Sequence, residues 1–276
     1  MGNNRCCICN GEKYEVPFKQ IKEYKLVRCT NCWLVYLASL PPDIDFILDA
    51  QKDISNKDKE KIEYWSFPAL YKKHEKVFKY YFEDRLVKIK RFNPNISSVF
   101  DIGCGYGFWL KFCLEKGLRV SGIDLSQESI DWGKQNYNLN IKRKTIEELN
   151  IEDTYDLIVM CDVVEHLKDP LQQLKKIKGM LKQDGILYVQ VPNVIGFKLP
   201  FGHGYGLPHH VWQFNNQTIT KLLEKAGYKV MDYHTGIQGV IGVYERGGPT
   251  LKEKIIWWMA QKLKIGNRLQ VIAKRY

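Results

Sequence analysis

The chain has 276 residues, of which 45% are hydrophobic and 26% charged, and this composition fits one ordinary globular domain plus a small unit rather than two full domains. No stretch approaches the ~18 consecutive apolar residues of a membrane-spanning helix, and the first residues lack a signal peptide's apolar core, so we expect a cytoplasmic protein. The net charge of +11 is concentrated at the end, because residues 250–276 hold seven Lys/Arg against one acid.

The eight cysteines favour reduced thiols or metal ligation, since a disulfide scaffold is expected in a shorter, secreted chain. Four of them form two C-x-x-C pairs around a short, turn-rich stretch: Cys6, Cys9, Cys29 and Cys32. Four thiolates at tetrahedral angles satisfy Zn²⁺, whose binding energy folds a segment too small for its own core. Cys7 is an alternative ligand, but the spacing of Cys6 matches the second pair. The pattern predicts a zinc-binding segment over residues 1–42.

A linker and helices are expected over residues 43–97. Pro41-Pro42 ends the cysteine segment, and residues 43–62 are charged and poor in periodicity. From Glu63 to Phe92, apolar and aromatic residues recur at helical spacing with Lys/Arg between them, which predicts one or two amphipathic helices.

Short apolar runs alternate with helical patterns over residues 98–247. The expected strands are SVFDIGC, RVSGIDL, NIKRKT, YDLIVMCDV, GILYVQVP, YKVMDYH and finally GVIGVYE. Strands that alternate with helices predict an α/β fold with a doubly wound, mostly parallel, Rossmann-like sheet of seven strands.

The first of these strands turns into a helix through the motif DIGCGYG. Glycines let the backbone pass close to a ligand, and a helix N-terminus offers unpaired N–H groups. Asp124 closes the second strand, 23 residues after Asp101, where a carboxylate can accept both ribose hydroxyls of an adenosine. A nicotinamide enzyme would usually show G-x-G-x-x-G, whereas these glycines are at positions 103, 105 and 107. The structural alternatives are a strand-end turn for Asp101 and a helix cap for Asp124.

The segments VFDIGCGYG, GIDLS, YDLIVMCDVVEHLKDP and HHVWQF resemble the class I S-adenosylmethionine-dependent methyltransferases, nearest the ubiquinone-type and glycan-modifying branch. The match covers residues 98–247 and is specific for cofactor and fold rather than for substrate. It implies S-adenosyl-L-methionine as cofactor, with the glycine loop at the methionine end, Asp124 on the ribose, and the fourth strand's end beside the transferable methyl. The candidate cofactor-binding residues are Asp101, Gly103, Cys104, Gly105, Gly107, Asp124, Leu125, Ser126, Thr145, Ile146, Cys161 and Asp162.

Three further expectations concern residues near this site. The family's usual acid after the third strand is absent, and Lys144-Thr145 stand there instead, which leaves recognition of the adenine amino group open. Tyr64 and Trp65, within the helical region, are candidates for a lid over the cofactor. Trp109 and Phe112 are expected in the core rather than in the pocket.

The motif PHHVWQF follows the fifth strand, and in an open α/β sheet ligands bind at the carboxyl ends of the strands. A hydroxyl acceptor must lose a proton during methyl transfer, and the histidine pKa suits that task near neutral pH. We therefore predict that His209 or His210 is the general base, with His166 in VVEHLKDP as a second candidate. The alternatives are packing on Trp212, capping of a helix that begins near Asn216, or hydrogen bonding within the loop.

Two motifs of nucleic-acid methyltransferases are absent from the sequence, and this narrows the expected class of substrate. Amino-methylation of nucleic-acid bases typically uses an acidic or Asn residue followed by Pro-Pro-aromatic, but Cys161-Asp162-Val163-Val164 stands there, and no Pro-Cys nucleophile of a cytosine C5 enzyme occurs. We expect O-methylation of a sugar, glycan or lipid-linked small molecule, as in polysaccharide biosynthesis, with the zinc segment helping to enclose the acceptor. The alternatives are a zinc-ribbon ribosomal-RNA methyltransferase, a sugar C-methyltransferase, or a scaffold that binds no cofactor.

Nucleic acid is the less expected partner, because residues 1–40 hold six Lys/Arg against three Glu and lack a dense basic face. The basic tail, residues 248–276, carries Trp and aliphatic residues between lysines and arginines. This pattern predicts an amphipathic helix lying on anionic lipid at the inner face of the membrane. The alternative is a helix packed against the domain or a dimer partner.

Overall fold

The computed structural model describes residues 5–12, 14–21, 23–39, 67–195, 205–236 and 250–276. Within these ranges the chain forms a four-stranded sheet and a seven-stranded sheet. The proposed lid residues Tyr64 and Trp65, and the linker around them, lie outside the described residues.

The four-stranded sheet joins the cysteine segment to a strand from much later in the chain. Its strands are β1 (Tyr14–Ile21), β2 (Tyr24–Cys29), β3 (Val35–Leu37) and β9 (Trp212–Gln213), in that spatial order. All neighbouring pairs are antiparallel.

The seven-stranded sheet has the spatial order β10-β11-β8-β7-β4-β5-β6. Its strands are β4 (Ser98–Ile102), β5 (Arg119–Asp124), β6 (Ile141–Arg143), β7 (Tyr155–Cys161), β8 (Leu181–Pro192), β10 (Tyr228–Gly236) and β11 (Arg268–Arg275). The strands from β8 to β6 run parallel, while β11 is antiparallel to both of its neighbours. The predicted doubly wound, mostly parallel sheet of seven strands is therefore confirmed.

The described helices are α1 (Pro68–Lys73), α2 (Glu75–Lys90), α3 (Phe108–Glu115), α4 (Gln127–Tyr137), α5 (Pro170–Lys178), α6 (Asn216–Lys225) and α7 (Leu251–Lys262). Alternation along β7 divides them between the two faces of the sheet, because successive side chains of a strand point to opposite sides. Leu157 and Val159 pack with the cluster of α2, α3 and α4, while Ile158 and Met160 pack with α5, α6 and the cysteine segment.

Two helix caps settle alternatives that the sequence left open. Ser126, not Asp124, caps α4 by accepting the Ser129 amide. Asn215 caps α6 through a reciprocal pair of bonds with Thr218, so neither histidine of PHHVWQF caps that helix.

The predicted single helical tail over residues 248–276 is wrong in its second half. Helix α7 ends at Lys262, and β11 enters the large sheet between β8 and β10. Leu269, Val271 and Ile272 are fully buried there. Leu269 and Val271 pack on one face of the sheet and Ile272 on the other, as successive residues of a strand do. The seventh strand is thus β11, and the predicted strand GVIGVYE lies outside the described residues. The catalytic-domain boundary at residue 247 must be moved to include β11.

Trp109 and Phe112 are buried in the core of α3, as expected. No helix in the described ranges is long and apolar enough to cross a membrane.

Candidate functional site

The glycine loop after β4 is tied to the end of β5. The amides of Gly103 and Cys104 donate to the Ile123 carbonyl, at 2.8 and 3.1 Å. The Gly105 amide donates to Asp124 Oδ2 at 2.7 Å. These three bonds lie within the protein and fix the shape of the loop.

The three glycines of the motif have different surroundings, although all have positive φ, a conformation that favours glycine. A Cβ built on Gly103 would be 2.5 Å from the Val163 side chain, and one on Gly107 would overlap Leu139. A Cβ built on Gly105 meets no atom within 4 Å. Packing therefore requires glycine at positions 103 and 107, whereas the Cα of Gly105 faces open space.

Asp124 lies at the carboxyl end of β5, where the sequence placed it. Its Oδ1 accepts the Ser126 amide at 2.8 Å, while Oδ2 accepts the Gly105 amide at 2.7 Å. Burial raises the pKa of Asp124, and these backbone bonds oppose that rise. The carboxylate is thus rigidly oriented, and each oxygen keeps a second lone pair for another donor.

The expected adenine-contacting segment follows β6. Thr145 donates its amide to Glu148 Oε2 at 2.7 Å, and Ile146 is buried. Arg143 Nε donates to the Leu125 carbonyl at 3.1 Å, which joins this segment to the residue after Asp124. Glu148 therefore supplies a carboxylate to the loop, three positions after the residue that replaces the family's usual acid.

Asp101 is buried in β4 beneath the glycine loop. Burial raises its pKa to about 8, against the opposing attraction of the Arg85 guanidinium on α2. Arg85 lies over the rings of Trp109 and Tyr188, at 4.8 and 5.1 Å, and its Nε makes no hydrogen bond within the described part of the chain. Sequence reasoning missed Arg85, because a buried arginine looks like any other basic residue of an amphipathic helix.

Two cysteines lie among the candidate cofactor residues. Burial raises the pKa of Cys161 to about 12 and that of Cys104 well above its ordinary value. Both are therefore neutral thiols near neutral pH, and neither is a thiolate nucleophile.

Asp162 follows β7 in the left-handed region, with φ 55°. Its Oδ1 is 3.1 Å from Arg268 Nε, and its Oδ2 accepts from Gln190 Nε2 at 3.0 Å. Arg268 begins β11, so it was missed when the tail was interpreted as a helix. The alternation of polar and apolar residues over positions 268–271 was the signal that could have found it.

The three predicted histidines meet in one cluster. His166 Nδ1 lies 2.9 Å from the His209 carbonyl, and the His166 and His210 rings meet edge to face at 4.7 Å. Burial lowers the pKa of His166. A carbonyl oxygen only accepts, so Nδ1 carries the hydrogen, and Nε2 of the neutral ring keeps a free lone pair.

The loop that carries His210 is closely packed. Gly206 has φ +68°, and a Cβ there would overlap the His210 ring. Gln213 Nε2 donates to the carbonyls of Tyr205 and His210, both at 2.8 Å. The histidine loop, residues 205–211, is therefore held from both of its ends.

Glu165 is the buried acid of the cluster. Neither carboxylate oxygen has a hydrogen-bond partner within the described residues. Burial, and then the negative charge of Asp162, raise the pKa of Glu165 well above its ordinary value. Ligand atoms of Glu165, His166 and His210 lie within 4.8 Å of one another, so this trio can exchange a proton or hold a metal ion.

The four predicted cysteine ligands lie close together, in the segment before β1 and at the connection from β2 to β3. All four Sγ atoms lie within 4.8 Å of one another, with Cys6 to Cys32 at 3.3 Å and Cys9 to Cys29 at 3.4 Å. A tetrahedron with Zn–S bonds of about 2.3 Å has S···S edges of about 3.8 Å, which fits this cluster. All four thiols are free of disulfides, and Cys7 stands outside the set.

Comparison with known proteins identifies the family. The methyltransferase domain family matches residues 71–233, more than half of the chain, so the chain belongs to that family. It is similar to a ubiquinone biosynthesis O-methyltransferase of Haemophilus ducreyi, at 29% identity over 108 residues, 35% of this chain and 46% of that protein. It is also similar to a probable S-adenosylmethionine-dependent methyltransferase of Mycolicibacterium smegmatis, at 29% identity over 154 residues, covering 55% and 56%.

A solved structure supports the same fold. The chain resembles an S-adenosylmethionine-dependent methyltransferase from Clostridium acetobutylicum with a TM-score of 0.53 and 15% identity, covering 75% of this chain and 96% of that one. The chain spans about half the length of the two curated relatives above. The four cysteines precede the range that the family matches.

Proposed function

We propose that this protein transfers a methyl group from S-adenosyl-L-methionine to a hydroxyl of a sugar, glycan or lipid-linked small molecule. The observation that carries the proposal is the half-buried His166, whose Nδ1 lies 2.9 Å from the His209 carbonyl and so leaves Nε2 as the acceptor. It follows Val163, whose side chain packs against Gly103 of the glycine loop. A hydroxyl acceptor needs a base, whereas amine acceptors mostly do not. The relative named as a ubiquinone biosynthesis O-methyltransferase is consistent with an oxygen acceptor.

Residues of the chain would hold the cofactor at three points. Asp124 would accept the ribose hydroxyls, and Leu125 with Ile146 would flank the adenine. At the methionine end, the Arg85 guanidinium suits a carboxylate, because its Nε has no hydrogen bond in the described chain. The bound cofactor supplies an electrophilic methyl on a positively charged sulfur, and the chain's task is alignment and exclusion of water.

His166 would remove the acceptor's proton. Because its Nδ1–H is directed at the His209 carbonyl, the proton would pass from the acceptor hydroxyl to Nε2. Burial, and then the charge of Asp162, raise the pKa of the nearby Glu165 well above its ordinary value. His209 and His210 remain alternative bases, and the three are distinguished by the variants described in the Discussion.

The test uses the purified chain with isotopically methyl-labelled S-adenosyl-L-methionine. Sugar nucleotides, glycan fragments, lipid-linked phenols and ribosomal RNA are offered as acceptors, and products are analysed by mass spectrometry. Label on a hydroxyl of a small molecule supports the proposal. Label in RNA would instead support the zinc-ribbon RNA methyltransferase, which the net charge of +11 favours. Label on a sugar carbon would support a C-methyltransferase.

We propose that the four-cysteine cluster binds one Zn²⁺ per chain. The convergence of four free thiols, without a disulfide, supports this assignment. Metal analysis of protein purified without chelator should give one zinc per chain, and Cys6→Ser should lose it while Cys7→Ser keeps it. Absence of zinc, or the reverse pattern in the two variants, would contradict the assignment.

We propose that α7 contacts an anionic membrane from the cytoplasmic side. Five exposed apolar side chains lie at helical spacing along and just after α7. They are Leu251 (75% exposed), Ile255 (49%), Trp258 (62%), Met259 (47%) and Leu263 (59%). The opposite side is attached to the domain, because Ala260 is buried and its carbonyl accepts from Thr235 Oγ1 at 3.1 Å. Four lysines lie in or just after this helix: Lys252, Lys254, Lys262 and Lys264. Exposed Trp and aliphatic groups between lysines suit a bilayer surface.

The lipid proposal is tested by co-sedimentation with phosphatidylcholine vesicles, with and without phosphatidylglycerol. Binding should require phosphatidylglycerol, weaken with salt, and be lost in Trp258→Glu but not in Val87→Glu, a matched exposed site on α2. Absence of binding, combined with a dimer that Trp258→Glu dissociates, would assign these exposed apolar side chains to a second copy of the chain.

A further inference from the structure

The cysteine cluster and the histidine loop are parts of one small sheet. Strand β3 begins three residues after Cys32 and pairs with β9, with Val35 opposite Gln213 and Tyr36 opposite Trp212. Strand β9 directly follows the histidine loop. A segment proposed to bind metal is therefore hydrogen-bonded to a segment proposed to carry out proton transfer.

The connection is a short series of main-chain hydrogen bonds. Cys29 donates its amide to the Leu34 carbonyl at 2.9 Å, which closes the second cysteine turn. Leu37 donates to the Val211 carbonyl at 2.9 Å, and Val211 donates to the Glu165 carbonyl at 2.9 Å. One residue, Val211, thus bridges the cysteine unit and the loop that holds Glu165 and His166.

Side chains strengthen the same junction. Trp212 is buried, its Nε1 donates to the Leu167 carbonyl at 2.7 Å, and its ring lies 5.7 Å from that of Tyr36. On the other side, helix α6 holds the cysteine turns, because Lys221 and Lys225 donate to the carbonyls of Cys32 and Ile8.

The cofactor-binding elements have separate support. The glycine loop and Asp124 are held by bonds between β4 and β5, with Ile123, Gly105 and Ser126 as partners. None of these bonds involves the cysteine unit. Loss of order in β3 would therefore affect the histidine loop before it affects the cofactor site.

A two-residue strand such as β9 cannot persist without its partner, and β3 belongs to a segment too small to fold without metal. We propose that metal binding by the four cysteines positions the histidine loop, so that metal occupancy controls assembly of the His166–His210 cluster without controlling cofactor binding. This inference rests on the proposed function and on the proposed metal site. The cysteines are positioning residues, because they act through β3 and β9.

The test compares zinc-loaded and chelator-treated full-length protein by amide hydrogen exchange. Metal removal should accelerate exchange in residues 35–37 and 205–213 by about tenfold or more, because the bonds between β3 and β9 no longer protect those amides. Residues of β4 and β5 should keep their exchange rates. Affinity for S-adenosylhomocysteine, measured by calorimetry, should change by less than about twofold.

Three variants separate positioning from general folding. Cys29→Ser should reproduce the effect of chelation, whereas Cys113→Ser, a buried thiol of α3, should not. Trp212→Phe removes the bond to Leu167 with the cysteines intact, so it should accelerate exchange in residues 205–213 without releasing metal. Once an acceptor is known, metal removal should lower kcat and leave the KM for S-adenosyl-L-methionine unchanged.

Two results would overturn the inference. One is unchanged exchange in residues 205–213 after complete release of the metal. The other is loss of protection throughout β4 and β5 together with loss of S-adenosylhomocysteine binding, which would make the unit a global folding element. Failure of the zinc-loaded protein to bind S-adenosylhomocysteine would instead contradict the proposed function, so the two failures are distinguishable.

Discussion

The main-chain carbonyl of His209 fixes the tautomer of His166, so the two ring nitrogens have different roles. Nδ1 donates to the His209 carbonyl, and in the proposed mechanism Nε2 accepts the proton of the substrate. In His166→Asn, the amide nitrogen can replace the Nδ1 donor while the base at Nε2 is lost. Turnover should fall by about 10²–10⁴-fold, with cofactor affinity nearly unchanged, because a positioned base contributes that much. His209→Ala and His210→Ala should cost less than about tenfold in turnover.

The pH dependence of turnover is the control for these three histidine variants. Burial lowers the pKa of His166 from its ordinary value of 6.5. In the proposed mechanism the neutral form of His166 is the base, so activity should be complete above that lowered pKa and should fall only as pH drops through it, below 6.5. The acidic limb should disappear in His166→Asn. If His166→Asn keeps the parental pH profile and turnover, His166 is not the general base, and His209 or His210 has that role.

Gly105 offers a test of the cofactor site that does not depend on an acceptor. Gly105 and Gly117 both have positive φ, and a Cβ on either meets no atom within 4 Å. Alanine at each should therefore cost a similar 1–2 kcal/mol or so of unfolding free energy, from backbone strain alone. Only Gly105→Ala should weaken binding of S-adenosylhomocysteine, because its methyl group enters the space at the loop. Equal affinities in the two variants, by calorimetry, would contradict this placement.

Residues with local sequence signals were predicted, and residues defined by tertiary contacts were not. The glycines, Asp124 and the cysteine pairs have characteristic spacings, and the structure brings each set together. Arg85 and Arg268 reach the site only through the packing of α2 and the insertion of β11. Their spacing relative to the motifs is not fixed, so sequence alone could not place them.

At the scale of elements, the tail divides into an exposed helix and a buried strand. Leu269 in β11 is fully buried, and Leu251 in α7 is 75% exposed. Leu269→Ala should lower the free energy of unfolding by about 2–5 kcal/mol through lost packing. Leu251→Ala should change it by no more than about 0.5 kcal/mol. Urea denaturation measures both, and a small effect of Leu269→Ala would contradict the assignment of β11 to the core.

Parallel strands such as β7 were predicted because they are continuous apolar runs between turn signals. Strand β11 was not, since Leu269 and Ile272 also satisfy a helical spacing that continues from α7. Residues 268–275 form a strand because they pair with β8 on one side and β10 on the other. The local sequence does not show these two partners.

At the scale of the whole molecule, strand pairing joins the cysteine unit to the methyltransferase domain. Strand β9 contributes to the small sheet while the adjacent α6 packs on the large one. The sequence predicted both units separately. It did not predict the pairing of Val35 with Gln213, because nothing in either short segment specifies its partner.

The central claim is that this fold binds S-adenosyl-L-methionine through Asp124, and titration calorimetry with S-adenosylhomocysteine tests it most directly. The parent chain should bind the ligand, and Asp124→Asn should bind at least about tenfold more weakly, because hydrogen bonds to a charged group contribute about 1.5–3 kcal/mol each. Asp131→Asn, at an exposed site on α4, should bind like the parent. No binding heat from the parent chain, or equal affinity in the Asp124 variant, would contradict the account.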